Sequence, residues 1–365
     1  MAFAPIVVVG AGFAGSVIAE RFNALGRSVI VVERKDHIGG NAYDEEHDGI
    51  FVHKYGPHIF HTNSRVVVDY VSRFTRWTPY EHRVQASVDC ALYSFPVNLD
   101  TLEQVFRRKF DEQSAEAFMK TQRVVYSPPR NAEEQVLSLV GPKLYEMFFK
   151  GYTTKQWGCL PTELAPGVTA RIPLRMNRDS RYFSDSFQAM PSQGYTALFN
   201  RLLDGVEVVL GSEWEVGARD WTGAHVIYTG PLDAYFAHCL GRLPYRSLYF
   251  EFSEEQAYAK QKVATVNYPK ESVPYTRTTE FNHFTDRIDS PITVLCREFP
   301  SAVGDPYYPV PNGENETLRR GYKELAARLE DVAFVGRLAD YRYYNMDQVV
   351  GRALHVFEEL VRKGW

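Results

Sequence analysis

The sequence predicts an α/β fold in which a parallel-sheet domain carries an inserted helical bundle and an antiparallel β-sheet domain. Three observations support this prediction. The chain starts with an apolar strand, a glycine-rich turn and a helix. A stretch rich in helix formers follows at about residues 101–155. Segments that alternate between apolar and polar residues then occupy residues 245–252, 264–268 and 293–299, as is typical of antiparallel strands.

The first strand, turn and helix span residues 5–25. Four consecutive apolar β-formers at residues 6–9 predict a strand buried on both faces, as in a parallel sheet. The turn has the spacing Gly-x-Gly-x-x-Gly. Gly10 allows the tight turn, Gly12 lets a pyrophosphate approach the backbone, and Gly15 lets the helix pack closely on the strand. Since the N–H groups of the helix N-terminus face the phosphates, the pattern predicts a dinucleotide site in a Rossmann-like domain.

The residues after the second strand indicate which dinucleotide is bound. This strand, residues 28–32, ends in Glu33, which is placed to accept hydrogen bonds from an adenosine ribose. Gly39 and Gly40 then offer further backbone N–H groups with no side chains in the way, which suits a long dinucleotide in an extended conformation. The pair resembles the second part of the FAD signature of glutathione-reductase-type flavoproteins. We therefore predict an FAD-binding domain rather than an NAD-binding one.

Three histidines, His53, His58 and His61, surround the break at Gly56-Pro57. No cysteine or carboxylate is set among them in a known ligand pattern, so we expect no metal site. We expect instead a loop near the cofactor in which neutral imidazoles form hydrogen bonds. A purely structural role is about equally open for His53 and less so for His58.

The helix-rich stretch ends in alternating aromatic residues and cations, residues 148–158, without an amphipathic period. One interpretation is a hydrophobic cap on the last helix. The other is a platform on which a nucleotide base stacks, since aromatic faces stack on any base. The residues alone favour neither interpretation.

Two arginines are placed to meet an anionic ligand. Three prolines at residues 161–173 predict a mobile loop, and Arg175 follows it. A cation at the end of such a loop can close over a diphosphate. Solvated surface arginines are a fair alternative for Arg171 and Arg178. Arg277 follows Pro274, which stiffens its approach.

The composition sets outer limits on function. With 365 residues, a net charge of −4 and 24% charged residues, the chain has the size of two or three domains and no global basic field that would draw nucleic acid. The four cysteines are far apart, so we expect neither a metal motif nor a disulfide framework. Apolar runs are too short to span a bilayer, and we expect a cytoplasmic protein.

Seven sequence blocks resemble the UDP-galactopyranose mutase family of bacterial flavoenzymes, which interconvert the pyranose and furanose forms of UDP-galactose. The blocks occur in order at residues 36–41, 55–62, 149–158, 230–234, 273–277, 306–309 and 335–338. The resemblance covers nearly the whole chain, and its middle blocks are specific to this family. It implies that reduced flavin acts as the nucleophile on the anomeric carbon, displaces UDP and is regenerated, so that there is no net redox change.

The resemblance also implies roles for individual residues. Arg175, Arg277 and His58 match catalytic residues, the two arginines at the diphosphate and the histidine against the flavin. The implied substrate contacts are Phe148, Phe149, Tyr152, Thr153, Trp157, Tyr182, Asn267, Tyr308 and Tyr343. The implied cofactor contacts are Gly10, Gly12, Phe13, Ala14, Gly15, Glu33, Arg34, Gly39, Gly40, Asn41, Tyr55, His58, Ile59, Arg337 and Met346.

The same resemblance implies three structural parts with the active site between them. We expect a discontinuous FAD-binding domain at residues 1–63, 194–243 and 317–365. We expect the helical bundle at residues 100–165 and the antiparallel sheet domain at residues 64–99, 166–193 and 244–316. The partners implied are a UDP-sugar, a reductant such as NAD(P)H or a flavin reductase, and a second copy of the chain in a homodimer.

Two departures from the family pattern put the exact sugar in doubt. Asn345 stands where many bacterial members carry an acid, and His82 stands where some carry asparagine. A mutase acting on another nucleotide hexopyranose is therefore one alternative. The other is an FAD-dependent oxidoreductase of the amine-oxidase type, although an amine substrate would not favour the positive charge of the two arginines.

Overall fold

The computed structural model describes residues 4–170, 172–214, 223–285 and 290–365. The strands in this part of the chain are β1 (Ile6–Val9), β2 (Val29–Val32), β3 (Asp44–His47), β4 (Ile50–His53), β5 (Phe60–Thr62), β6 (Trp77–Pro79), β7 (Val84–Val88), β8 (Ala91–Phe95), β9 (Phe187–Pro191), β10 (Glu207–Val209), β11 (His225–Tyr228), β12 (Tyr245–Glu255), β13 (Thr265–Asn267), β14 (Arg277–Glu280), β15 (Thr293–Ser301), β16 (Tyr308–Pro309) and β17 (Val332–Phe334).

The α-helices in the same part are α1 (Phe13–Ala24), α2 (Arg65–Val71), α3 (Leu99–Phe106), α4 (Glu112–Gln122), α5 (Ala132–Leu144), α6 (Lys150–Trp157), α7 (Gly194–Leu202), α8 (Leu232–Tyr235), α9 (Gly313–Ala326) and α10 (Met346–Arg362). A π-helical turn, Tyr145–Phe149, joins α5 to α6.

A parallel sheet in the order β10-β2-β1-β11-β17 forms the predicted Rossmann-like layer. Ile6, Val7 and Val8 of the central strand β1 are fully buried, as the run of apolar residues predicts. Helices α1 and α10 pack together beside the sheet, where the rings of Phe22 and Phe357 meet edge to face at 5.0 Å. The terminal helix therefore completes a layer that begins with the first helix of the chain.

The second large sheet has the order β16-β12-β15-β14-β13-β7-β8. It is antiparallel as predicted, except that β13 runs parallel to β7. Alternation at residues 84–88 and 91–95 predicts a hairpin, and the structure has it: β7 and β8 are joined by a turn at Asp89 and Cys90, which both adopt positive φ angles. The inserted helices α3 to α5 pack against this hairpin, so the helical bundle and the sheet share one hydrophobic core.

Several elements differ from the prediction. Helix formers on either side of Gly141 predict two helices, residues 131–140 and 142–150, and α5 does consist of two helical segments that meet at a non-helical Gly141; the second differs from the prediction in that it continues through the π-helical turn into α6. Gly141 at the kink has φ 76°, and a Cβ there would lie 2.2 Å from the carbonyl oxygen of Gln122. Helix α9 and the three-stranded sheet β5-β9-β6 were not predicted, because the first is highly charged and the second joins short strands from distant segments.

Candidate functional site

A cavity of ≈ 520 Å³ lies at the carboxyl ends of β1, β2 and β11, where open parallel sheets bind their ligands. Sequence-predicted cofactor residues that line it are Gly10, Gly12, Phe13, Ala14, Glu33, Arg34, Gly39, Gly40, Asn41, His58, Arg337 and Met346. The lining also contains residues that the sequence analysis did not name as site residues: Ser212, Glu213, Trp214, Thr229 and Tyr307. The structure thus brings most of the predicted cofactor set to one place.

Two close approaches of the backbone shape this cavity and fit it to a dinucleotide. Gly10 has φ 103°, and a Cβ there would lie 2.2 Å from Oγ1 of Thr229. Gly12 and Gly40 face each other so closely that a Cβ on Gly40 would lie 3.0 Å from the Cα of Gly12. Without side chains at Gly12 and Gly40, a ligand can approach the backbone beside the N-terminus of α1, which is the environment that a pyrophosphate requires.

Glu33 connects the glycine turn to the end of β2. Its carboxylate accepts hydrogen bonds from the backbone N–H of Ala11 at 2.7 Å and of Lys35 at 2.9 Å. The side chain is buried and lines the cavity, and a carboxylate has further acceptor positions. Glu33 can therefore both fix the turn and accept a ribose hydroxyl.

Three of the predicted cofactor residues are not part of the cavity lining. A Cβ on Gly15 would lie 1.9 Å from the carbonyl oxygen of Gly10, so this glycine serves the packing of α1 on the turn. Ile59 is part of the hydrophobic core. The hydroxyl of Tyr55 is 2.6 Å from Nε2 of His37, and Nζ of Lys35 lies 3.5 Å from the centroid of the Tyr55 ring.

His58 lies at the cavity with a defined protonation state. Burial, together with the nearby charges of Arg337 and Arg277, lowers the pKa of His58 to about 3. Its Nδ1 is 2.8 Å from the carbonyl oxygen of Gly56, and this pairing requires the proton on Nδ1. The neutral ring therefore has Nε2 left as an acceptor.

Arg277 is held by a buried acid. Its Nε and Nη2 donate to Oε2 of Glu298 at 2.9 and 2.8 Å, and the two residues face each other across β14 and β15. Burial alone would lower the pKa of Arg277, but the charge and hydrogen bond of Glu298, together with the nearby phenols of Tyr152 and Tyr308, raise the pKa. Asn267 is the cross-strand neighbour of Arg277 on β13. Glu298 was missed in the sequence, where the alternating pattern of β15 gave no reason to single out its acid.

The Arg175 guanidinium is turned onto its own segment. Nη1 donates to the backbone carbonyl oxygens of Arg181 and Asp179, and Nε is 4.0 Å from the Asp179 carboxylate. Among the described residues, Nη2 is buried without a hydrogen-bond partner. The segment from 176 to 182 thus holds this arginine, while the antiparallel sheet holds Arg277.

The predicted aromatic residues fall into two groups. The rings of Tyr308 and Tyr343 stack at 5.2 Å, and the Trp157 ring is 6.4 Å from each. The Arg337 guanidinium lies 5.5 and 5.4 Å from the centroids of the two tyrosine rings, and the same residue lines the cofactor cavity. Arg337 therefore joins the cavity to the aromatic group.

The second aromatic group is mostly internal. Phe148 and Phe149 are 2% and 4% exposed and pack on Tyr93 and Phe95. The structure thus places them in the core shared by the bundle and the sheet, which agrees with the cap interpretation of these two residues. Thr153 on α6 is also buried.

Tyr152 lies near Arg277 of the sheet, and Tyr182 lies near His82. Burial raises the pKa of Tyr152, the positive charge of Arg277 opposes the rise, and the charge of Tyr182 adds to it. The backbone N–H of Tyr182 donates to the carbonyl oxygen of His82, and the ring centroids of the two residues are 5.7 Å apart. His82 is itself buried, and burial lowers its pKa to about 3. A neutral histidine therefore stands beside the phenol.

Two other classes of site are absent from the part of the chain that the structure describes. No helix there has both the length and the apolar character needed to cross a membrane. Within the same residues, no group of three or more His, Cys, Asp or Glu side chains could hold a metal ion.

Comparisons with known proteins agree with this geometry. A sequence profile described as UDP-galactopyranose mutase matches residues 147–343, and one described as an NAD(P)-binding Rossmann-like domain matches residues 8–74. The chain is 40% identical to a probable UDP-galactopyranose mutase of Klebsiella pneumoniae, over 98% of this chain and 94% of the relative. It is 36% identical to a dTDP-fucopyranose mutase of Escherichia coli, over 96% of each chain.

A solved structure of reduced UDP-galactopyranose mutase has a similar fold. The TM-score is 0.80 at 17% identity, and the match covers 99% of this chain and 94% of that one. At this identity the likeness concerns the fold, and it confirms the predicted combination of a Rossmann-like domain with helical and sheet parts.

Proposed function

This chain belongs to the UDP-galactopyranose mutase family, whose members are isomerases, and on that premise we propose that it interconverts UDP-galactopyranose and UDP-galactofuranose with reduced FAD. The observation that carries the proposal is the position of Arg337. This residue lines the cofactor cavity and also lies against Tyr308 and Tyr343. A flavin in the cavity and a nucleotide sugar on the tyrosines would therefore be neighbours.

The cofactor would be held mainly by backbone. Gly10, Gly12 and Gly40 leave room for its pyrophosphate, and Glu33 would accept a hydrogen bond from the ribose. When bound and reduced, the flavin supplies the nucleophile for the anomeric carbon, and no net oxidation follows. Met346 at the start of α10 would face the flavin end of the cavity.

The chain itself would stabilise the leaving diphosphate. Arg277 is fixed by Glu298, so its charge is in place before negative charge develops on the UDP oxygens. Arg175 would have to exchange the carbonyls of Asp179 and Arg181 for the diphosphate, which is a closing movement of the segment that follows the proline-rich loop. Tyr308 and Tyr343 would donate hydrogen bonds to the phosphates.

The remaining groups would position the nucleotide and the sugar. Tyr152 and Trp157 on α6 would contact the uridine, and Asn267, the cross-strand neighbour of Arg277, would contact the sugar. The neutral His58 would accept a hydrogen bond at Nε2 from a sugar hydroxyl or the flavin. None of these roles requires a side-chain nucleophile.

A second candidate is a mutase for another nucleotide hexopyranose. The 36% identity to a dTDP-fucopyranose mutase favours it, as does the buried His82 beside Tyr182. An oxidoreductase of the amine-oxidase type is disfavoured by the family and by the positive charge of Arg277. A reductant such as NAD(P)H or a flavin reductase, a homodimer and a cytoplasmic location stay predictions.

The test is turnover of a substrate panel by FAD-loaded, dithionite-reduced protein. UDP-galactopyranose, UDP-glucose and dTDP-fucopyranose are incubated separately, and the products are separated by chromatography. The proposal expects a furanose product from UDP-galactopyranose. A furanose product from dTDP-fucopyranose alone would establish the second candidate, and no furanose product from any of the three substrates would overturn both.

A further inference from the structure

Lys155 on α6 is directed into a ring of backbone oxygens. Its Nζ donates to the carbonyl oxygens of Tyr268 at 2.6 Å, Lys270 at 2.9 Å, Val273 at 2.8 Å and Tyr275 at 2.9 Å. All four carbonyl groups belong to the segment of residues 268–276, which joins β13 to β14 and leads directly into Arg277, the first residue of β14. We propose that Lys155 is a positioning residue that fixes Arg277 relative to the substrate-binding helix α6.

The segment of residues 268–276 makes few backbone hydrogen bonds of its own, although Thr276 at its end donates to the carbonyl oxygen of Glu298. Pro269 and Pro274 have no N–H to donate. Within the segment, the backbone bonds are from Tyr268 to Thr276 and from Val273 to Lys270. Four carbonyl dipoles that converge on one point repel each other unless a cation lies between them, so the ammonium supplies the missing partner.

Helix α6 packs against the same segment without a gap. Gly151 is one helical turn before Lys155 and therefore lies on the same face. A Cβ on Gly151 would lie 2.4 Å from the carbonyl oxygen of Pro269, so backbone meets backbone there. At the other end of the helix, Arg246 from β12 donates to the carbonyl oxygens of Gln156 at 3.0 Å and Lys155 at 3.4 Å. A cation at a helix C-terminus is stabilising.

Helix α6 and the segment of residues 268–276 carry different parts of the proposed substrate site. Helix α6 carries Tyr152 and Trp157, whereas the segment leads directly into Arg277. One ammonium thus sets the distance between the uridine contacts and the charge that meets the diphosphate, although they lie more than a hundred residues apart in the sequence. Burial lowers the pKa of Lys155 to about 8, so the amine is mostly protonated at pH 7 and can donate. This role rests on the proposed function.

The test compares FAD-loaded wild type with the variants Lys155→Ala and Lys150→Ala. Lys150 is a matched control, because it is on the same helix and its ammonium forms an exposed pair with Glu146 at 2.9 Å. Hydrogen exchange of the amides at residues 268–276, UDP affinity and turnover are measured for each. Lys155→Ala is also measured with added n-propylammonium, which replaces the missing part of the side chain, and with 1-propanol as the neutral control.

We expect faster exchange at residues 268–276 in Lys155→Ala and a loss of about 10- to 100-fold in kcat, because small misplacements of positioning groups cost that much. UDP affinity should fall less than kcat, FAD content should not change, and propylammonium but not 1-propanol should restore turnover. Lys150→Ala should resemble wild type. Unchanged exchange and turnover in Lys155→Ala would overturn the proposal, and so would a loss that propylammonium leaves untouched.

A second variant covers the case in which Lys155→Ala does not fold. Lys155→Met keeps the apolar stem and removes the donors, so it should show the same faster exchange and lower turnover, and wild-type values would overturn the proposal. If wild-type protein does not turn over UDP-galactopyranose, the proposed function fails. Exchange at residues 268–276 would then still decide whether Lys155 holds this segment.

Discussion

The cofactor cavity and the substrate face are built in different ways. The cavity is shaped by backbone, at Gly10, Gly12 and Gly40, and its walls are the ends of parallel strands. The proposed substrate face, which consists of Arg175, Arg277, Tyr308 and Tyr343, is made of side chains from distant segments, and Arg277 depends on its partner Glu298. A methyl group added to one of these glycines should therefore weaken FAD binding most. The loss of a charged side chain should instead lower turnover most. This difference separates FAD binding from turnover in the following experiments.

The largest effect is expected at the substrate face. Arg277→Ala should lower kcat by at least about 10²–10³-fold, the cost of removing one preorganised group that meets developing charge. FAD should remain bound, since Arg277 does not line the cavity. UDP should bind more weakly but still bind. The measurement is turnover and flavin absorbance on the same preparation.

Arg277→Ala needs a control for stability, because it leaves Glu298 buried and unpaired. Breaking a buried pair costs about 3–5 kcal/mol. The double variant Arg277→Ala/Glu298→Gln removes that charge, so it should regain stability without regaining turnover. A double variant with near-wild-type turnover would mean that Arg277 has only a structural role.

Arg175→Ala should also lower turnover by orders of magnitude with FAD retained, if the guanidinium leaves Asp179 and Arg181 when substrate binds. Arg175→Lys should restore turnover only in part, because an ammonium cannot make the paired contact of a guanidinium. Kinetics with a UDP-hexose check both variants. Wild-type turnover in Arg175→Ala would show that its contacts with its own segment are its whole role.

A smaller effect is expected at the cavity, where a substitution should weaken FAD binding rather than lower the turnover of FAD-loaded protein. Gly10→Ala should weaken FAD binding by tenfold or more, since its Cβ would lie 2.2 Å from Thr229 Oγ1. Gly26→Ala is a matched control. Gly26 has φ 74°, and a Cβ there would have no neighbour within 4 Å, so it shares the backbone strain without the clash. Equal FAD affinity in the two variants, measured by fluorescence titration, would contradict a cavity shaped by close backbone contact.

The last effect is on stability rather than on binding or turnover, and it concerns pH and three buried histidines. Burial lowers the pKa of His53, His58 and His82 to about 3, from 6.5 when exposed. The unfolded chain binds more protons than the folded one as pH falls below 6.5, so stability is lost in that direction, by about 1.4 kcal/mol per pH unit for each histidine. Urea midpoints of the holoenzyme between pH 7 and 5.5 should fall, and less steeply in His82→Asn. A flat midpoint would contradict three buried neutral histidines.

The sequence predicts the cofactor half well because local residues encode it. The bounds of β1 agree with the prediction, and so does the hairpin turn at Asp89 and Cys90, since apolar runs and turn residues act within a few positions. The substrate half depends on pairings between distant strands. Glu298 becomes visible as a partner of Arg277 only when β14 and β15 are aligned.

The aromatic residues near the proposed substrate face are equally hard to assign from the sequence alone. A run such as Phe148 to Trp157 has the same appearance whether it faces a core or a ligand. The structure places Phe148 and Phe149 in the core, and it places Trp157 beside the stacked pair of Tyr308 and Tyr343. The substrate residues were therefore reached through the family resemblance rather than through the pattern.

The most direct test of this account is turnover by one holoenzyme preparation taken through a redox cycle. UDP-galactofuranose is supplied to air-oxidised protein, then to the same protein after dithionite reduction, and again after reoxidation in air. The account predicts UDP-galactopyranose in the reduced state alone, with FAD bound throughout. Equal turnover in the oxidised and reduced states, or turnover by FAD-free protein, would contradict it.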